Sequence, residues 1–299
     1  MGSGFTRFAL FTAFAVSGCV LDDADGPDDL DQLDEVDGDE VGHEQLEVIA
    51  PNGMSLNGMS LNGSSLTGIT LNGSQLTGTR NGQPVSGAAV VGVTMNGLLS
   101  TGATLPMRID LATLLPAPNN DVWAYGVSYQ SGASWLPLCG SSGGKPILAV
   151  PLQGTWNYGS GVTGGGAWTT SATAFTLGCR GAALAKCVEL GYKPWKTVGG
   201  VLLRDHHQAC TRAIRADYCG NGKSYTADGT LINIYDNKGV QADAAPWPVD
   251  AEWLTTGSRC IHATRAWKAG QGVPTCWASK LLPVCGLFAG GTLIIDEYK

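Results

Sequence analysis

The stretch Asp205-His206-His207-Gln208-Ala209-Cys210 sets two imidazoles and a thiol close together. His207 and Cys210 have the i, i+3 spacing that puts both on one side of a helix, a pair suited to zinc if the thiol is free to ionise. The same imidazoles, or His262, could activate a reduced cysteine as a nucleophile. Asp217 follows within the same segment and could share general acid or base work with His207. Gly140-Ser141-Ser142-Gly143-Gly144 formally fits G-x-S-x-G, but Lys145-Pro146 and a strand-like run follow where a nucleophile elbow needs a helix. A phosphate loop fails at the same place, because Cys139 holds the first glycine position and Pro146 the Ser/Thr position. His207 and Asp217 are the catalytic candidates that remain.

Whether a thiol is available depends on the cysteine count. The chain has nine cysteines in 299 residues. Arg7 precedes an apolar run from Phe8 to Val16, too short to span a bilayer but of export-signal length. Val16-Ser17-Gly18-Cys19 closes it and resembles the lipobox of bacterial lipoproteins, in which the cysteine is diacylated and becomes the new N-terminus. Residues 1–18 are therefore read as a signal peptide and Cys19 as the lipidation site. Multiple acyl chains on one residue suffice for stable anchoring. The expected location is the bacterial envelope, on the outer membrane facing the periplasm or the surface. Eight cysteines remain, Cys139, Cys179, Cys187, Cys210, Cys219, Cys260, Cys276 and Cys285, and an even remainder behind an export signal implies disulfides. With Cys210 bonded, no metal and no cofactor is expected.

Charge divides the chain. Residues 22–47 contain 13 Asp or Glu and no Lys or Arg, so residues 19–47 read as a lipid anchor with a solvated, self-repelling linker. The remainder holds 17 of the 18 basic residues against 12 acids, scattered rather than clustered. Nucleic acid is not an expected partner; the membrane is, through the lipid, and an envelope protein or an acidic polysaccharide fits the positive body.

Residues 48–81 carry a five-residue period, with Leu56, Leu61, Leu66, Leu71 and Leu76 each followed by Asn or Thr and then Gly. The period resembles the pentapeptide-repeat family, which coils into a square β-helix. So few copies must dock on the following domain or stay mobile.

Residues 82–299 read as one domain, a β part over 82–170 and a cysteine-rich part over 171–299. Alternation in Val122 to Tyr129 and Ile147 to Leu152, among the chain's 43 glycines, predicts short strands joined by tight turns. Trp123, Tyr125 and Tyr129 either pack a sheet face or form a recognition strip. Helices are predicted over Cys179–Leu190 and from Asp205 to about Tyr218. Cys179 and Cys187 would stand ~12 Å apart on one helix face, too far to bond with each other. Two antiparallel helices would pair Cys179 with Cys219 and Cys187 with Cys210, leaving Cys139, Cys260, Cys276 and Cys285 to pair among themselves. The expected class is α+β, mainly β, a glycine-rich β domain with a disulfide-stapled helical hairpin.

Arg215-Ala216-Asp217-Tyr218-Cys219-Gly220 resembles the motif that names the ADYC-domain family of bacterial envelope proteins. Cys179 to Cys187, Gly191 to Trp195 and Ser224 to Thr230 support the likeness, which runs from about residue 80 to the C-terminus. The leucine-asparagine-glycine repeat behind a lipoprotein signal also looks like that family's architecture. The resemblance implies an envelope protein but no reaction or ligand. In the motif, Asp217 has a local alternative to catalysis: pairing with Arg212, Arg215 or Lys186 would fix the exit from the helix. The function expected is a non-catalytic structural or ligand-binding module. Its rival is a secreted hydrolase using His207, Asp217 or a free cysteine.

Overall fold

A computed structural model describes residues 40–41, 49–50, 54–60, 66–99, 104–172, 174–227, 229–262, 265, 270, 272–281 and 285–299. The expected signal peptide, Cys19 and all of the acidic linker except residues 40–41 lie outside the described residues. The fold is mainly β.

Six antiparallel strands pair in a closed ring. Thr104–Leu114 pairs with Trp123–Ser131, which pairs in turn with Ala149–Gln153; Ala174–Cys179, Met54–Ser60 and Thr94–Leu99 complete the circuit back to Thr104–Leu114. The two-residue period of these strands sends Leu105, Met107, Ile109, Tyr125, Val127, Tyr129, Phe175 and Leu177 into one cluster. Of the three aromatics, Tyr125 and Tyr129 are core, and Trp123 stacks on Tyr125 at 6.3 Å. The copies at Leu71 and Leu76 form an antiparallel hairpin, Thr67–Asn72 with Gln75–Arg80, in which the two leucines sit opposite one another, while the copy at Leu56 lies in the barrel strand Met54–Ser60. Leu66 and Leu76 drop into the barrel core, and the Tyr125 hydroxyl accepts the Leu76 N–H at 2.9 Å.

A second antiparallel sheet orders its strands Thr230–Asp236, Ile294–Tyr298, Val249–Leu254 and Gly257–Ile261, with Glu40–Val41 paired on the outer edge. Between barrel and sheet lie helices α1 (Ala183–Glu189) and α2 (Arg204–Arg215). α1 packs on the Ala174–Cys179 strand and α2 on the second sheet, so α2 is buried from His206 to Ile214. Val150, Leu152, Leu184, Ala213, Ile234, Trp253 and Ile294 meet there in a second core. No described helix is long and apolar enough to cross a membrane.

The eight cysteines after Cys19 form four disulfides: Cys139–Cys179, Cys187–Cys210, Cys219–Cys276 and Cys260–Cys285. Cys187–Cys210 ties α1 to α2. The expected Cys179–Cys219 pair is not formed, because Cys179 ends a strand instead of opening a helix, and α2 stops at Arg215. Cys179 therefore faces the turn that holds Cys139, while Cys219, beyond a reversal of the chain, meets Cys276. Cys139 and Cys276 consequently do not pair within the expected group of four. By the chain-entropy account each bond contributes on the order of 3 to 4 kcal/mol for loops of this size.

Candidate functional site

The Arg215–Gly220 motif is a corner at the end of α2. Helix propagation stops at Ala216, which takes the left-handed conformation at φ 51°, ψ 41°. Its N–H bonds Ala213 O and the Asp217 N–H bonds Arg212 O at 2.9 Å, closing the last turn as a Schellman-type cap. Glycine usually occupies such a position, but the alanine methyl is wholly buried in the core between barrel and sheet.

Each following residue secures a different part of the molecule. Asp217 is 0% exposed and accepts from the Arg212 guanidinium, from Asn221 N at 3.0 Å and from Gly222 N at 2.9 Å. Arg212 also donates to Gly165 O at 2.6 Å and Thr255 O at 3.2 Å, bridging the connection between barrel strands Ala149–Gln153 and Ala174–Cys179 to the second sheet. Tyr218 stacks on Trp253 at 5.3 Å, donates its hydroxyl to the Asp250 carboxyl at 2.8 Å, and lends its carbonyl to Ser258. Cys219 binds Cys276. Gly220 has φ 67°, and a Cβ there would overlap the Thr256 carbonyl oxygen. Gly220→Ala is expected to cost more than about 2 kcal/mol, from backbone strain and a clash that no rotamer relieves. Chemical denaturation checks this; a wild-type midpoint would mean that the corner is looser than described.

Tyr218 leads to a buried ionic cluster. Arg265 lies 3.3 Å from Asp250 and 3.0 Å from Asp296, all three side chains being 0% exposed. Trp253 Nε1 at 2.6 Å and Ala251 N at 3.2 Å donate to Asp296, and the Arg265 guanidinium also reaches Ala213 O on α2. Burial pushes Asp250 up to about 6 against the attraction of Arg265. Burial and the charge of Asp250 together hold Asp296 well above the usual carboxylate range. Two carboxyls therefore face one guanidinium, and burial disfavours the charged form of both.

The candidates read from sequence are dispersed. His207 is buried, bonds Leu184 O through Nε2 at 2.9 Å and meets Trp156 edge-on at 5.8 Å. Burial brings it down to about 4, so it is neutral. No hydrogen bond among the described residues joins it to Asp217. Cys210 is disulfide-bonded and cannot serve with His207 as a thiolate ligand. Ser142 lies in an exposed two-stranded hairpin, not at an elbow. Glu252, Cys260 and Cys285 come together, but the two sulfurs are bonded to each other. Burial would raise Glu252; hydrogen bonds from Arg259, Thr292, Leu287 N and Gly286 N outweigh it and bring the carboxyl down to about 2. That carboxylate is already filled by protein donors.

Beside the corner opens a cleft lined by Trp156, Tyr158, Gly166, Leu184, Arg212 and Asp217, among others. It is small, about 20 Å³, room for one water or one small polar group. Gln208 Nε2 holds the Gly166 carbonyl at 2.9 Å and so fixes one wall.

Sequence reading missed Asp250, Glu252, Arg265 and Asp296. The available signal was acids inside apolar strand runs, Val249-Asp250-Ala251-Glu252-Trp253-Leu254 and Ile294-Ile295-Asp296-Glu297, since acids are seldom buried without partners. Compared with known proteins, residues 87–267 match a family model described as ADYC domain. No curated protein and no solved structure matches the chain.

Proposed function

The chain belongs to the ADYC domain family, and from that premise we propose that it is an exported, lipid-anchored envelope module that scaffolds or binds rather than catalyses. Cys19 carries the lipid, residues 19–47 hold the body away from the bilayer, and the outer membrane is the site of attachment. The observation that carries this reading is the complete pairing of the eight cysteines after Cys19. Complete pairing fits an oxidising compartment and leaves Cys19 as the odd sulfur, at the place where a lipobox puts it. The engagement of Asp217 with Arg212 and two backbone amides, and the neutral, buried state of His207, support a structural role for both.

Intact mass and disulfide mapping on protein purified from its native membrane test the reading. The expected result is an acylated N-terminal Cys19, no free thiol after denaturation, and transfer of Cys19→Ser protein to the soluble fraction. An unmodified Cys19, or one stoichiometric thiol elsewhere, would overturn the anchor and return the cysteine-hydrolase reading.

A further inference from the structure

Two side chains that line the cleft beside the corner, Trp156 and Arg212, each keep a nitrogen that makes no hydrogen bond among the described residues, and that of Trp156 is buried. Trp156 is 5% exposed, lines the cleft, and its Nε1 is buried without a partner. Arg212 spends Nε and Nη1 on Thr255 O, Gly165 O and Asp217, and its Nη2 makes no hydrogen bond among the described residues. Buried N–H groups without acceptors are unfavourable and are normally satisfied by protein, water or ligand. Asp217, the carboxylate in the wall, already accepts three hydrogen bonds and is committed. Leu184 and the Trp156 and Tyr158 side chains supply apolar surface around the donors.

The missing element is an acceptor small enough for the space. An indole N–H and a guanidinium N–H together suit an oxyanion, and a guanidinium pairs especially well with the planar carboxylate. The geometry points to a carboxylate-binding notch in which Trp156 Nε1 and Arg212 hold the ligand's carboxylate oxygens. With room for one small group, the cleft admits the carboxylate while the rest of the ligand stays outside, within reach of Tyr158. A uronic acid of an acidic polysaccharide and a free small carboxylate share this chemistry. This inference rests on reading the chain as a binding module, and names what it binds.

The test uses the full mature protein in detergent micelles with ¹⁵N-labelled tryptophan, titrated at pH 7 and constant ionic strength with sodium acetate, sodium glucuronate and glucose. Trp156→Phe keeps the ring packing, deletes the N–H, and identifies the indole resonance by its loss. Both carboxylates should shift that resonance saturably and glucose should not. Ligand-observed NMR should find glucuronate binding to Trp156→Phe about tenfold weaker. Tighter binding of glucuronate than acetate assigns the notch to sugar acids, and equal or weaker binding to small carboxylates. An equal shift with glucose, or no saturable shift with either carboxylate, overturns the notch and leaves an ordered water as its occupant. If the variant does not fold, the wild-type contrast between glucuronate and glucose decides by itself. Hydrolysis of a glucuronide by the protein would sink the non-catalytic reading, whereas failure to bind sinks only the notch.

Discussion

Asp217→Ala is expected to lower the unfolding free energy by about 3 to 5 kcal/mol, the usual cost of removing one partner from a buried ion pair. Arg212, only 2% exposed, would keep its charge among carbonyl acceptors with no counterion. The Asn221 and Gly222 amides would also lose their acceptor. Asp217→Asn should be milder, since an amide oxygen still accepts, although the charge is gone. Urea denaturation of both variants provides the measurement. The catalytic rival makes the opposite forecast: an acid held for chemistry can be removed with the fold intact. If Asp217→Ala unfolds at the wild-type midpoint, the corner is not what Asp217 is for.

The second large effect is a pH dependence seated in Asp250 and Asp296. Both carboxyls titrate higher in the fold than their ordinary value of 3.8. Their contribution to stability is therefore fully present below that value and is lost as pH rises through about 6 and beyond. His207 acts in the other direction: held down to about 4, it contributes stability above 6.5 that fades as pH falls. The two trends oppose one another between pH 4 and 6.5, so the acid pair is best isolated by difference. Asp296→Asn, which still accepts from Trp253 Nε1 and leaves Asp250 to Arg265, should melt near or below wild type at pH 4.5. By pH 8 it should melt several degrees above wild type. Melting curves of the pair across this range decide the matter; parallel curves would mean that neither carboxyl is protonated in the fold.

Several elements were legible because a local rule produced them. The strand alternation around Val122 to Tyr129 and Ile147 to Leu152 is a two-residue period with one face per core. The Cys187–Cys210 bond follows from two helices lying side by side. The pairing of Cys179 was misread because its run of small residues suits a helix, yet the strand partner Ala149 claims Cys179 through long-range hydrogen bonds. Propensity is a weak prior beside such pairing. Cys219 was misread for a related reason: an alanine gave no sign of the left-handed turn that redirects the chain. Of the ionic cluster, Asp250 and Asp296 stand 46 residues apart in sequence, and the register of the second sheet joins them. The Asp217–Arg212 pair was the more accessible, since five residues separate its partners and the sequence reading had included it among three options.

The strand Met54–Ser60 is a stave of the barrel, hydrogen-bonded on one side to Ala174–Cys179 and on the other to Thr94–Leu99. Past the edge pairing of Glu40–Val41 on the second sheet, the chain therefore enters the barrel through a strand held on both edges. Tension applied along that chain loads the flanking hydrogen bonds in shear, because they run across the strand direction. Shear shares the force among several bonds, whereas peeling a terminal hairpin would break them one after another. The route by which the polypeptide enters its own barrel is thus also a mechanical fastening.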